Sequence, residues 1–164
     1  NIINSLRIEE EILLELKENL ILCDTCSSHN SSGIHDDQKK ELKNKKEIND
    51  LVKQNVDLTY SIRDSLIKGD LTKLGKQLDQ GWKNKKQYSK KITNNRLDKI
   101  YKTAIDNGAL GGKLLGAGGG GFFIFYCDPI KRWNVVKGLT KIKTKVVEFN
   151  FEMGGLISWK IREK

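Results

Sequence analysis

Apolar positions along this chain alternate between two patterns, a helical spacing of three to four residues and short unbroken runs. RIEEEILLELKE (7–18) scatters Ile and Leu among charges and predicts a helix, and NLILCDT (19–25) is a short apolar run ending in turn-formers, as in a buried strand. CSSHNSSGIHD (26–36) is small and polar and reads as a loop. A long helix is predicted over 36–69, with Leu51, Leu58, Ile62 and Leu66 on one side of its second half and almost only polar residues in its first. Gly69 is placed to end it and Asp70 to cap a second helix over 70–90. A third helix over 94–108 starts from an Asn cap, shows Leu97, Ile100, Tyr101, Ala104 and Ile105 as one face, and ends at Asn107-Gly108. GGKLLGAGGGG (111–121) then reads as a glycine loop, followed by the strand FFIFYCD (122–128). Asp128-Pro129 opens a helix to about Gly138, because Pro costs little at an early helical position. KTKVVEFNFE (143–152) is a strand, Gly154-Gly155 a turn, and LISWKI (156–161) a last strand that pairs back. About four strands and four helices in this order argue an α+β fold with an antiparallel sheet.

Length and composition narrow the picture. The 164 residues suit one compact domain, and no Gly/Ser linker, repeat or low-complexity block divides them. No apolar run approaches the length that a membrane-spanning helix requires, and the start at Asn1 without a signal-like segment predicts a soluble piece of a longer chain. Cys23, Cys26 and Cys127 are too few and too unevenly spaced for a disulfide framework, which predicts a reducing cytoplasm. The net charge of +9 comes mainly from Lys, with 30 basic residues against 21 acidic ones. These lysines are spread in short clusters (39–46, 83–86, 141–145) and read as solvated faces. Base readout favours arginine and stacking aromatics, so the charge fits phosphorylated small molecules better than nucleic acid.

Two motifs call for chemistry. Cys23-Asp-Thr-Cys26 has the spacing of redox and zinc sites, but a redox site sits at a helix start and zinc needs two further ligands. His29 and His35 complete no closed set, and the pair reads as small buried residues at a strand end. In the glycine stretch, Gly116, Gly118 and Gly121 satisfy G-x-G-x-x-G, but that fingerprint follows a strand and opens a helix, whereas the order predicted here is helix, loop, strand. A P-loop fails too, since Asn107 stands where its first Gly belongs and Leu114 follows Lys113. Contiguous glycines let backbone N–H groups converge on an anion as a nest, whereas a bulge or hairpin needs only one or two.

GGKLLGAGGGG resembles the third motif of the GHMP kinases, and the likeness extends to RLDKIYKTAIDNGALGGKLLGAGGGGFFIFYCDP, LIKGDLTKLGKQLDQGWKNKKQYS and LILCDT with SHNSSGIHDDQKK. It covers nearly the whole chain and is similar to the C-terminal half of the D-glycero-D-manno-heptose 7-phosphate kinase branch. Leu115, where many members carry Ser or Thr, points to that branch and the fucokinases. The resemblance implies that 1–164 is a single ferredoxin-like C-terminal domain of a two-domain kinase. The phosphate loop, the catalytic base and most nucleotide contacts would lie in the N-terminal half, its partner, so no catalytic residue is assigned here and the isolated chain is expected to be inactive. The family transfers the γ-phosphoryl group of ATP, with Mg²⁺, to a sugar hydroxyl, in this branch the anomeric one of a heptose 7-phosphate or related sugar. Gly116, Ala117, Gly118, Gly119, Gly120 and Gly121 would then approach the ATP phosphates and substrate, with Lys113 as an added cation. Ser28, His29, Ser31, Ser32 and Gly33 would face the sugar phosphate, His29 as a hydrogen-bond donor. The alternative is a non-catalytic ferredoxin-like module that binds a ligand or a partner chain.

Overall fold

A computed structural model describes residues 5–27 and 45–160. Helix α1 (Glu10–Asn19) carries Glu10 and Glu11 in its first turn and Lys17 in its last, matching the helix dipole, and runs directly into strand β1 (Leu20–Asp24). Helix α2 (Lys45–Ile67) ends where Gly69 takes φ +68°. Helix α3 (Leu71–Lys86) is capped by Asp70, whose carboxylate accepts the Lys73 N–H at 3.1 Å. After a 3₁₀ turn (Lys90–Ile92), α4 (Asn95–Asp106) starts from Asn94, which accepts the Leu97 N–H at 3.0 Å. Strands β2 (Ala109–Leu114) and β3 (Phe122–Cys127) follow. Helix α5 (Pro129–Lys141) is capped by Asp128, which accepts the Ile130 N–H at 2.8 Å, and strand β4 (Lys145–Val147) comes last.

The four strands form one antiparallel sheet in the order β2-β3-β1-β4. Two crossovers generate that order: α2, α3 and α4 carry the chain from β1 to β2, and α5 carries it from β3 to β4. This is the ferredoxin-like arrangement. Phe125 pairs with Ile21, and Phe123 with Cys23, so the inner strands share their buried faces.

Helices cover both faces of the sheet. On one side Ile21, Cys23, Phe123, Phe125 and Cys127 meet Leu97, Ile100 and Ala104 of α4, Val135 and Leu139 of α5, and Trp82. There Phe123 stacks on Phe125 with ring centroids 5.1 Å apart, and Trp82 meets Phe123 edge-on at 5.3 Å. On the other side Leu20 and Tyr126 pack with Leu16 of α1 and with Leu71 and Leu74 of α3. Two covered faces explain why β3 reads as unbroken apolar sequence, with no polar alternation.

Three expectations about the sheet and helices need correction. The glycine stretch does not follow a helix directly, because its first part, with Ala109 and Leu110, is strand β2. The glycines there are dictated by close approach: a Cβ on Gly111 would lie 2.1 Å from the Gly75 carbonyl oxygen, and one on Gly112 would lie 2.3 Å from the Phe125 ring. Helix α3 thus lies flush on β2 at a Gly75–Gly111 contact, and the low strand propensity of Gly hides the strand from sequence reading. Helix α5 continues past Gly138 to Lys141, since that glycine admits Asn107 of the α4 C-terminus, whose Nδ2 would be 2.7 Å from an added Cβ. The final strand is only Lys145–Val147, and no strand forms over 148–160. Alternation can predict a strand, but the strand also needs an edge to bond to, and β1 accepts only these three residues.

Candidate functional site

The loop 115–121 joins β2 to β3 and therefore sits in a strand-loop-strand setting, which is neither the predicted helix-loop-strand order nor the strand-loop-helix of a dinucleotide fingerprint. It is a hairpin connection, and its base is closed by the Leu115 N–H donating to the Phe122 carbonyl at 2.8 Å. Gly116, Gly118, Gly119 and Gly121 all take positive φ, at +71°, +128°, +77° and +94°. Four left-handed positions within six residues are a conformation that only glycine adopts without strain.

Neighbouring elements hold this loop through its carbonyls. The Thr25 N–H, just beyond β1, donates to Gly121 O at 2.9 Å, and the Asn94 side-chain amide donates to Gly119 O at 3.4 Å. Lys85 Nζ donates to Leu114 O at 2.9 Å and also to Gly116 O. Besides that of Leu115, the N–H of Gly119 is committed as well, to Ile92 O at 2.9 Å. Gly118 lies against the same 3₁₀ turn, where an added Cβ would be 3.0 Å from Ile92 Cα. The N–H groups of Ala117, Gly118 and Gly120 make no hydrogen bond to a described residue. Bound carbonyls thus stand beside uncommitted N–H groups.

Lys85 is the main residue that sequence reading missed. It belongs to the lysine cluster 83–86 that was expected to be solvated, yet its amine is half-buried and its pKa is lowered from 10.5 to about 8. Burial is the main cause, and the positive charge of Lys113 adds to it. Nothing in the charge pattern separates Lys85 from Lys83, which pairs with Asp79 at 2.7 Å, or from Lys86. Only its place in the last turn of α3, over the end of β2, distinguishes it.

The predicted substrate residues fall into two groups. Lys113 lies on β2 with its side chain partly buried, and lines a groove of about 230 Å³ between α2 and α3 with Asn55, Thr59, Gln77 and Gly81. Ser28, His29, Ser31, Ser32 and Gly33 lie outside the described residues. The chain leading to them leaves β1 through Thr25, which bonds to the glycine loop.

The cysteine pair is only half as expected. Cys23 is buried in β1, and burial raises its pKa, whereas Cys26 is exposed at φ +52° with its N–H bonded to Asp24 Oδ1 at 2.8 Å. Cys26 lies past the end of the strand, so it leaves the core that Cys23 enters. Among the described residues, no group of three His, Cys, Asp or Glu side chains is placed to hold a metal ion.

The fold occurs in known proteins. Residues 62–140 match the family model of the GHMP kinases C terminal domain, so this stretch of the chain carries that domain. Within that family the chain is similar to D-glycero-alpha-D-manno-heptose 7-phosphate kinase of Campylobacter jejuni, at 36% identity over 98% of this chain and 47% of that protein. A crystal structure of a Campylobacter jejuni protein classed as a sugar kinase matches 98% of this chain and 44% of its own, with a TM-score of 0.68 and 34% identity. A D-glycero-D-manno-heptose 1-phosphate kinase from Bacteroides thetaiotaomicron matches 99% of this chain and 42% of its own, with a TM-score of 0.63 and 25% identity. The chain thus spans about half the length of the relatives it matches. Among the described residues, no helix is long and apolar enough to cross a membrane.

Proposed function

We propose that this chain forms the C-terminal part of an ATP-dependent sugar-phosphate kinase whose glycine loop closes over the phosphates at the transfer site. The observation that supports it is the polarity of loop 115–121, where carbonyls are tied down by Lys85, Asn94 and Thr25 while the N–H groups of Ala117, Gly118 and Gly120 remain available. Phosphoryl transfer is largely positioning and charge stabilisation, for which fixed N–H dipoles beside the transferred group suffice from this side. When bound, ATP supplies the phosphoryl group itself.

In this reading the loop residues Gly116 to Gly121 orient phosphate oxygens, and Lys113 adds positive charge from the groove between α2 and α3. The similarity to a heptose 7-phosphate kinase favours a heptose phosphate as acceptor, with its anomeric hydroxyl receiving the phosphoryl group. Thr25, which bonds to the glycine loop, precedes segment 28–33 in the chain, and we read that segment as the one that meets the sugar phosphate. The described residues offer no carboxylate cluster for Mg²⁺, so its ligands would come from ATP and from outside them. The general base likewise belongs to the other half, and this chain alone is expected to be inactive.

The test is phosphoryl transfer from ATP to a panel of heptose and hexose phosphates, using this chain joined to the part of the Campylobacter jejuni kinase that it does not span. Transfer to a heptose phosphate, abolished by Gly116→Val, is the expected result. Gly116 faces open space, so the valine loses activity by obstructing the loop and straining its backbone, with no clash against the core. Undiminished turnover in that variant would remove the loop from the mechanism.

A further inference from the structure

The segment 148–160 has the sequence of a strand pair and no strand partner among the described residues. Val147, Phe149, Phe151 and Met153 alternate with Glu148, Asn150 and Glu152, which is the period of a half-buried strand. The Gly154 N–H donates to Glu152 Oε1, and Gly155 sits at φ +68°, a backbone state suited to a reversal. Beyond it come Leu156, Ile157 and Trp159. Met153, Leu156, Ile157 and Trp159 are 80%, 99%, 69% and 80% exposed, a run of apolar surface that finished soluble surfaces avoid.

The apolar surface does not stop at the tail. Where the tail leaves β4, residues 147–150 share a groove of about 310 Å³ with Lys17, Glu18 and Arg132. On either side of Arg132, Ile130 and Trp133 of α5 are 85% and 70% exposed and one turn apart. Unpaired strand-like backbone flanked by exposed aromatic and aliphatic side chains is a template for β-augmentation.

The likeness to the Campylobacter jejuni kinase covers 162 residues, which includes this tail, yet accounts for only 47% of that protein. The tail is therefore shared with a protein that has a further half to place against it. We propose that residues 148–160 form an interdomain strand pair, adding by main-chain hydrogen bonds to a sheet edge of the half that this chain does not span. Met153, Leu156, Ile157 and Trp159 become buried in that contact. This inference rests on reading the chain as one part of a two-part kinase.

The experiment compares amide hydrogen exchange over 148–160 in this chain alone with that in the chain fused to the unmatched half of the Campylobacter jejuni kinase. The expected result is slowing by about 100-fold or more in the fusion, together with a blue shift of Trp159 fluorescence; Ile157→Asp abolishes both while exchange over β1 to β3 stays unchanged. Rapid exchange of the tail in a fusion whose sheet amides are protected overturns the proposal. So does protection in the chain alone at concentrations where ultracentrifugation reports a dimer, since a second copy is then the occupant. Phosphoryl transfer measured on the same fusion separates the two ideas: a protected tail without transfer loses only the kinase reading, and transfer with an unprotected tail loses only the docking. Should the fusion not fold, the aligned tail of the unmodified Campylobacter jejuni kinase decides, and rapid exchange there overturns the proposal.

Discussion

Lys85 Nζ lies 2.9 Å from the carbonyl oxygen of Leu114 and also donates to Gly116, so one side chain from the end of α3 holds both sides of Leu115. The glycine loop thereby takes its starting direction from α3, a helix that lies before both α4 and β2 in the chain. Lys85→Met keeps the aliphatic stem and removes the donor, and is expected to cost about 1–2 kcal/mol, in the range for hydrogen bonds from a charged group reduced by partial exposure. Urea denaturation measures that loss, and faster amide exchange confined to 115–121 identifies its place.

The same amine gives stability a pH slope of known sign. The folded chain releases the Lys85 proton near pH 8, whereas the unfolded chain holds it to about 10.5. Between those values the unfolded state binds more protons, so this group makes stability rise with pH; below pH 8 its contribution levels off. Burial raises the thiol pKa of Cys127 to about 11 and raises that of Cys23, and these groups oppose the trend once unfolded thiols ionise. The Lys85 contribution is therefore read between pH 8 and 9, as the difference in urea midpoints between wild type and Lys85→Met. An identical slope in both proteins would exclude the assignment.

Two glycines from one motif should respond very differently to alanine. At Gly111 the new methyl would meet the Gly75 backbone at 2.1 Å, and neither partner can move without parting α3 from β2. Destabilisation of at least about 3 kcal/mol, or failure to fold, is expected. Gly116→Ala meets nothing within 4 Å and carries only the cost of φ +71°, about 1 kcal/mol. Thermal unfolding of the two variants checks the contrast.

Thiol labelling separates the cysteines. Cys26 is exposed, whereas Cys23 and Cys127 are buried with raised pKa values. Native protein should take up one equivalent of an alkylating reagent rapidly, at Cys26, and the other two only in denaturant. A Cys26→Ser variant that still labels rapidly would contradict this placement.

Helix boundaries were largely legible, because capping is local chemistry: Asp70 and Asn94 accept the N–H groups their positions predict, and Asp128 precedes the Pro that opens α5. What escaped was whatever depends on a distant neighbour. Gly111 and Gly112 look like loop residues until Gly75 and Phe125 are seen against them, and Gly138 looks like a stop until Asn107 is. Lys85 looks like Lys83 until the loop carbonyls are in place. The glycine segment 115–121 is legible as a loop, yet its hairpin setting is not, because the strand before it is written in glycine. The second predicted loop, 28–33, lies outside the described residues.

The order β2-β3-β1-β4 also bears on how the protein is made. Strand β1 is synthesised first among the strands but lies in the sheet interior, and its Leu20 waits for Tyr126 and its Leu22 for Val147. Neither neighbour has emerged from the ribosome when most of the chain already has. Pairings between such remote positions make folding slow and leave apolar strands exposed meanwhile. A nascent chain of this kind should therefore depend on holding chaperones until β3 emerges, and truncation before Phe122 should leave LILCD as an aggregation-prone segment with no strand to pair with.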